Sequence, residues 1–221
     1  PPLPSPPTYD VYPFSDSTSY DLGSQFSLIG QGLNNNLLTD KPLYMLFLTI
    51  LHLVGGQSVR IVISLQVLVL AIFPVMLFLI GREIHSRGAG ILVALLAIFK
   101  ERNAIAAVLD IQVSHVKLMM TDVPTALFVS TIALLLFRWL RTRSSRAESL
   151  PIWIGGLIGA AMLLRTNAFL FLPLALAFPI LARGQTWRQK AVPALTLLLG
   201  FFVFVLPWFL ANRGLEGRFF I

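Results

Sequence analysis

The sequence predicts an all-α protein: a polytopic bundle of transmembrane helices with a polar outer loop that carries short interfacial helices. Of the 221 residues, 56% are hydrophobic and only 12% are charged, about half the charged fraction of an ordinary soluble domain. Uncharged apolar runs recur from residue 42 onward, and the basic residues fall between them. The net charge of +7 therefore reflects membrane topology, and no nucleic-acid partner is predicted.

Residues 1–41 are rich in Pro, Ser and Asn and cannot span lipid, so we interpret them as an extracytoplasmic first loop. Apolar side chains such as Tyr20 predict one short surface helix over residues 17–32. Residues 42–221 form the predicted transmembrane domain. Because the sequence starts at Pro1 without Met and ends in the middle of a pattern, we expect a fragment that is incomplete at both ends, with a further span ahead of it.

The first two apolar runs differ in length. Residues 43–54 are interrupted by His52 and are short for a span, which suits an interfacial or re-entrant helix. Residues 61–80 are uncharged and, at about 1.5 Å per residue, can cross a hydrocarbon core of roughly 30 Å. Pro74 predicts a kink within this span, which membrane helices tolerate.

The middle of the chain is less regular. Residues 89–99 are apolar, and their helix either ends there or continues across residues 100–102. Residues 104–120 suit a strand by their alternation and a helix by their apolar face, and we favour the helix because no partner strand is visible. Gly155 and Gly159 form a GxxxG motif, which predicts close helix packing. Further spans are predicted at residues 123–137, 150–164, 166–182 and 191–212.

Basic residues are densest in three of the loops. Residues 81–88, 138–150 and 183–190 hold nine of the 17 Lys and Arg residues, so the positive-inside rule places these loops in the cytoplasm. Eight of the ten acidic residues lie on the other side. We therefore predict that residues 1–41 and 100–122 face the outside of the cytoplasmic membrane.

Acidic residues are scarce, and two of them occur where a polar loop meets a helix. Asp16 lies in the first loop, and Asp122 precedes a Val-Pro pair at the start of a span. Each has a structural interpretation, as a surface turn or a helix N-cap, beside a catalytic one. For Asp122 the two interpretations do not exclude each other. We interpret Asp10, Asp21 and Asp40 as solvated loop acids.

Three cations lie on the same outer side, close to predicted spans: Lys41, Arg102 and Arg165. A cation at a membrane surface often only extends its head group to water. The alternative is anion binding, with Arg as a bidentate fork and Lys as a point charge. His52 and His115 stand alone, and we interpret them as interfacial fillers. No spacing of His, Asp or Glu indicates a metal site, and the chain has no Cys.

The order of four short motifs resembles a known family. An Asp-x-x-x-Tyr pair that ends at Tyr20 is followed by Lys-Pro-Leu-Tyr at 41–44, Thr-Asp-x-Pro at 121–124 and Leu-Arg-Thr-Asn at 164–167. This order is similar to that of the GT-C glycosyltransferases that use polyprenyl-phosphate sugars, above all the protein O-mannosyltransferase group of family 39 and the bacterial aminoarabinose transferases. The resemblance covers residues 10–182.

The resemblance implies roles for individual residues. Asp16 matches the catalytic acid of the family's first loop, although many members have a second acid where this chain has Ser17. Asp122 matches the acid that follows the third span in relatives, and with Asp16 it is a candidate catalytic residue. Lys41 matches the lysine that approaches the lipid phosphate. The candidate substrate-binding residues are Tyr20, Lys41, Tyr44, Arg102 and Arg165.

These assignments predict an integral-membrane transferase that moves a hexosyl or pentosyl group from a polyprenyl-phosphate sugar to an acceptor hydroxyl outside the cytoplasmic membrane. The acceptor (lipid, glycan or protein) is left open. No cofactor is predicted, and a role for a divalent metal stays open. The alternative is a transporter or flippase for a lipid-linked or anionic substrate. Transporters place ionisable groups in mid-span, whereas residues 61–80 and 191–212 are uncharged, which favours the enzyme.

Overall fold

Helices form the regular structure of the chain in the residues that the computed structural model describes, which are 16–31, 41–107, 114–141, 149–181 and 186–211. No strand occurs in these ranges, which confirms the predicted all-α class. In chain order the helices are α1 (Asp16–Phe26), α2 (Pro42–Gly55), α3 (Val59–Leu70), α4 (Ile72–Ile84), α5 (Arg87–Ala107), α6 (Asp122–Arg141), α7 (Leu150–Leu164), α8 (Phe171–Leu181) and α9 (Trp187–Ala211).

Within the described ranges, three helical stretches are long and apolar enough to cross a membrane. Large aliphatic side chains are exposed along them, and Leu68, for example, is 71% exposed, as expected where a helix faces lipid rather than water. This confirms the predicted transmembrane bundle. The three stretches are Val59–Ile84, Asp122–Arg141 and Trp187–Ala211. Shorter apolar helices occupy Pro42–Gly55, Leu150–Leu164 and Thr166–Leu181.

The first of these stretches consists of two helices that meet at Ala71. Pro74 lies three residues further on, and it has no N–H with which to bond the carbonyl of Leu70, the last residue of α3. Ala71 keeps φ and ψ of −60° and −13°, so the chain passes directly into α4. The α-helix is thus interrupted just before Pro74, and the kink itself stays a prediction.

The first compact unit comprises Pro1–Leu127, and within it α1 packs against α2. A Cβ on Gly23 would come within 2.4 Å of the Met45 side chain. The Thr49 hydroxyl on α2 donates a hydrogen bond of 3.3 Å to the carbonyl oxygen of Ser24. The helix of the first loop is therefore attached to α2 by backbone and side-chain contacts.

The helices predicted over residues 17–32 and 104–120 differ from those observed. The one predicted over residues 17–32 is α1 followed by a π-helical turn at Ser27–Gln31. Helix α5 continues through residues 100–102 to its end at Ala107. Residues 108–113 lie outside the described ranges. Residues 114–121, which we call the α5–α6 segment, are not helical. The predicted helix is therefore wrong in this segment. The backbone of the segment forms hydrogen bonds with side chains of other helices instead.

The second compact unit begins at Phe128, and its α7 and α9 approach each other through small residues. A Cβ on Gly155 would lie 1.9 Å from the carbonyl oxygen of Leu197, and one on Gly200 would lie 2.1 Å from a carbonyl oxygen of α7. Gly159 meets α9 in the same way. The close packing predicted from the GxxxG motif is confirmed.

Candidate active site

Lys41 stands at the N-terminal end of α2, and its side chain meets the helix of the first loop there. The ammonium donates a hydrogen bond to the hydroxyl of Tyr20 and lies 5.0 Å from the centroid of that ring, within range of a cation–π interaction. The buried Tyr20 ring packs edge-on against Tyr44, with centroids 5.4 Å apart. Three of the candidate substrate-binding residues therefore form one cluster.

Tyr44 connects this cluster to the next helix. It is fully buried, and its hydroxyl donates to Oε1 of Gln66 at 3.0 Å. Burial raises the pKa of Tyr44 well above its usual 10.0, and two nearby carboxylates, Asp21 and Asp122, act in the same direction. The phenol therefore keeps its proton and acts as a donor, and Asp122 lies near enough for its charge to affect Tyr44.

Gln66 continues the connection to the α5–α6 segment. Its amide nitrogen donates to the carbonyl oxygens of Val116 at 2.7 Å and Leu118 at 2.9 Å. From α5, the carboxylate of Glu101 accepts the Val116 N–H at 3.0 Å and the Lys100 ammonium at 2.9 Å. Side chains of two helices therefore supply hydrogen bonds that a helical segment would make within itself.

Asp122 is half-buried and is the first residue of α6. The cap position belongs to Thr121, because its carbonyl accepts the N–H of Thr125 at 2.9 Å. Asp122 lies one residue inside the cap, where a carboxylate still interacts favourably with the helix dipole. It also lines a cavity of about 470 Å³. The lining is mostly apolar and includes Phe73, Leu77, Val93 and Leu96, together with the charged residues Lys100 and Glu101.

A buried pair that no local pattern indicates joins α1 to α2. Asp21 and His52 are 6% and 2% exposed, and Oδ1 of Asp21 lies 2.9 Å from Nε2 of His52. The other ring nitrogen lies 2.8 Å from the carbonyl oxygen of Gly56, and Gln25 donates to Oδ2 of Asp21 at 2.7 Å. Both ring nitrogens thus face acceptors, an arrangement that the protonated ring, a donor at both nitrogens, satisfies.

The hydrogen bond to Asp21 raises the pKa of His52 above its usual 6.5, as expected of a histidine beside a carboxylate. The interpretations of Asp21 as a solvated acid and of His52 as a filler are therefore wrong. The two residues are 31 positions apart, and only the packing of α1 on α2 brings them together.

The other predicted site residues are exposed. Asp16 is the first residue of α1, one turn before Tyr20 on the same helix. Arg102 lies on α5 in the first unit. Arg165 follows the last residue of α7 and belongs to the second unit. The catalytic role of Asp16 and the phosphate-binding roles of the two arginines stay predictions.

Metal ligands are not clustered in the part of the chain that the structure describes: no three His, Asp or Glu side chains there could hold one ion. His115 is buried, and its Nδ1 accepts the N–H of Lys117 at 3.2 Å. Burial lowers the pKa of His115 from its usual 6.5, the opposite direction from the shift of His52.

Comparison with known proteins identifies the family. The dolichyl-phosphate-mannose-protein mannosyltransferase family matches residues 40–209, well over half of the chain. The match includes Lys41, Asp122 and Arg165 and begins after α1. No curated protein and no solved structure gives a significant match. Because this is a family of transferases, the match favours the predicted enzyme over the predicted transporter or flippase. The chain belongs to the dolichyl-phosphate-mannose-protein mannosyltransferase family and is a membrane glycosyltransferase of the GT-C type.

Proposed function

We propose that the protein transfers a hexosyl or pentosyl group from a polyprenyl-phosphate donor to an acceptor hydroxyl at the outer face of the cytoplasmic membrane. The observation that carries the proposal is the position of Lys41, at the N-terminus of the 14-residue helix α2 and against the Tyr20 ring. A helix N-terminus attracts anions through the positive end of its dipole. The ammonium adds a full positive charge, so this end of α2 suits a phosphate.

The cavity beside Asp122 supports a donor that carries a lipid. Its walls from α4 and α5 are mostly apolar, and Lys100, Glu101 and Asp122 are among its few charged lining residues. A hydrocarbon chain fits apolar walls, and convergent polar groups orient a head group. A lipid-linked sugar has both parts, and a free nucleotide sugar has only the polar one.

Asp16 is the general base in this proposal. Asp21 is unsuited to that role because both of its carboxylate oxygens already accept hydrogen bonds, from His52 and Gln25. Asp16 is exposed at the start of α1, one turn from Tyr20, so an acceptor arriving from water can reach it. A positioned carboxylate base typically contributes about 10²–10⁴-fold in rate.

In the transfer step the acceptor oxygen attacks the anomeric carbon of the donor, and its proton passes to the Asp16 carboxylate. The bond between the anomeric carbon and the phosphate oxygen breaks, and its electron pair leaves with the polyprenyl phosphate. Lys41 stabilises the charge that grows on this leaving group. Phosphate binding by Arg102 and by Arg165 stays a separate prediction from the sequence. Asp122, whose charge acts on Tyr44, orients the acceptor.

The outward direction of the site rests on the distribution of basic residues. Helix α1, the start of α2 and the α5–α6 segment all belong to the stretches that the positive-inside rule assigns to the outside. The elements that carry Asp16, Lys41 and Asp122 therefore share one predicted side. An acceptor on that side meets the base without crossing the bilayer.

The test of the proposal is donor binding by Lys41 variants of the full-length protein. Charged hydrogen bonds contribute about 1.5–3 kcal/mol, so Lys41→Ala should weaken binding of polyprenyl-phosphate hexoses and pentoses about tenfold to a hundredfold. Lys41→Arg keeps the charge and should retain part of the affinity. The binding should also be lost when polyprenol without phosphate replaces the donor. Unchanged affinity in Lys41→Ala would make Lys41 a hydrated surface cation and remove the support for a phosphate site.

A further inference from the structure

We infer that Gln66 is a positioning residue of the same site, whose amide holds the α5–α6 segment, and with it Asp122, in a set place relative to Tyr44. The inference rests on the proposed function because it concerns how that reaction is arranged. Gln66 lies in α3, distant in sequence from both the proposed base, Asp16, and the phosphate-binding Lys41. It acts through the backbone that it binds.

Gln66 is an exception in an apolar helix. Between residues 61 and 80, only Ser64 and Gln66 have polar side chains. The Ser64 hydroxyl bonds within its own helix, to the carbonyl oxygen of Arg60 at 2.9 Å. Gln66 is fully buried and bonds outside its helix. Burying an amide without hydrogen-bond partners is unfavourable, so the stability of this position depends on the groups that the amide meets.

The Gln66 amide uses both of its donors and its acceptor. Oε1 accepts from Tyr44 at 3.0 Å, and Nε2 donates to Val116 at 2.7 Å and to Leu118 at 2.9 Å. The two carbonyls are two residues apart, so one planar group sets both the position and the direction of the backbone between them. A hydroxyl or a carboxylate at this place could not make the same three bonds.

The α5–α6 segment needs these bonds because it is irregular. Among its backbone bonds, the carbonyl of His115 accepts the N–H of Leu118 at 3.0 Å, and the carbonyl of Leu118 accepts the N–H of Met120 at 2.9 Å. The segment then passes directly into α6, whose first residue is Asp122. Without the Gln66 amide, the carbonyl of Val116 loses a buried partner, and the approach to Asp122 is free to shift.

The same amide connects the acid to the phosphate end of the site. Tyr44, which Gln66 binds, lies on the first turn of α2 beside Lys41. The Lys41 contact with Tyr20 does not involve Gln66. A change at Gln66 should therefore move Asp122 while leaving donor binding in place. A misplacement of about 1 Å can cost about 10²-fold in rate.

The kinetic test compares Gln66→Leu and Gln66→Glu with Ser64→Ala in the full-length protein, using the polyprenyl-phosphate sugar that the wild type accepts. Glu has the shape of Gln and still accepts from Tyr44, but its carboxylate cannot donate to two carbonyls. Both Gln66 variants should lower kcat about 10- to 100-fold, with the donor KM within about twofold of wild type. Ser64→Ala should leave kcat and KM unchanged.

Coupling to Asp122 separates positioning from a purely structural role. In an Asp122→Asn background, Gln66→Leu should lower kcat by little more than Asp122→Asn alone, because the two residues act at one place. A residue that only stabilises the fold would lower the yield of folded enzyme and leave kcat per folded molecule intact. That result, or full additivity with Asp122→Asn, would overturn the inference.

A second readout does not depend on transfer. The chain has no Cys, so Lys117→Cys, exposed on the α5–α6 segment, carries a single nitroxide label. The label should become more mobile in Gln66→Leu and stay unchanged in Ser64→Ala. If Gln66→Leu does not accumulate, Gln66→Asn replaces it, since the shorter side chain cannot reach both carbonyls. An unchanged spectrum overturns the inference, whereas a wild type that transfers no sugar overturns only the proposed function.

Discussion

Replacing His52 by Asn tests the buried pair that joins the first-loop helix to α2. The side chains of His52 and Asp21 are 0% and 9% exposed, so the substitution leaves a carboxylate in the core without its cation. Removing one partner of a buried ion pair typically costs about 3–5 kcal/mol. We expect a loss in that range in the free energy of unfolding. Since α1 carries Asp16 and Tyr20, the same change should also loosen the site.

The charge on His52 gives this stabilisation a pH dependence of defined sign. The hydrogen bond to Asp21 raises the pKa of His52 above the usual 6.5, near which the unfolded chain titrates. The folded state holds the proton more tightly, so the stabilisation is fully present below the unfolded pKa and is lost as the pH rises through the raised pKa of the folded state. Asp21→Asn should abolish this dependence at a smaller cost of about 1 kcal/mol, because an amide can donate to a neutral imidazole.

The assay is reversible unfolding of the protein in mixed detergent micelles, at mildly acidic and at alkaline pH. His85→Asn is the matched control, because His85 is exposed at the end of α4 and surface substitutions usually stay within about 0.5 kcal/mol. The reasoning is refuted if His52→Asn is as mild as this control. It is also refuted if the wild type and Asp21→Asn respond to pH in the same way.

Two further substitutions test the base and the helix packing. Asp16→Asn should lower turnover at least about 100-fold with donor binding nearly intact, because Asn keeps the shape of Asp but cannot take a proton. The control Asp10→Asn, in the same loop, should keep near-wild-type turnover. Near-wild-type turnover in Asp16→Asn would exclude Asp16 as the base. Gly155→Ala places a Cβ 1.9 Å from the Leu197 carbonyl oxygen and should destabilise by about 1–3 kcal/mol or more. Gly156→Ala should cost less in the same unfolding assay, because its nearest neighbour at 3.2 Å is a side-chain atom, and equal losses would contradict the packing argument.

Composition and periodicity predicted the class of the protein and most of its helices. Lipid admits few backbone solutions, because every polar backbone group must be bonded within the protein. Long uncharged runs therefore predict helices with little ambiguity. The break near Pro74 and the close approach at Gly155 could be predicted for a similar reason. Proline always lacks a backbone N–H and glycine always lacks a side chain, so both effects are local to the residue.

The sequence by itself also determined which candidates to examine for the site, through the order of motifs that include Asp16, Lys41 and Asp122. It could not determine the contacts. Tyr20 and Lys41 are 21 positions apart. The family resemblance implied a role for each of them but no contact between them. The roles of Asp16 and of the exposed arginines depend on a bound substrate, so they stay predictions.

Only the tertiary structure decided which buried polar groups are partners. His52 meets Asp21 across 31 positions, and Gln66 meets Val116 across 50. A local pattern reports how often apolar residues recur, and it contains no information on which helix faces which. Residues 114–121 accordingly had the apolar face of a helix, yet side chains from α3 and α5 bind their backbone. A buried amide or carboxylate is stable only with its partner, and that partner is supplied by the packing of distant helices.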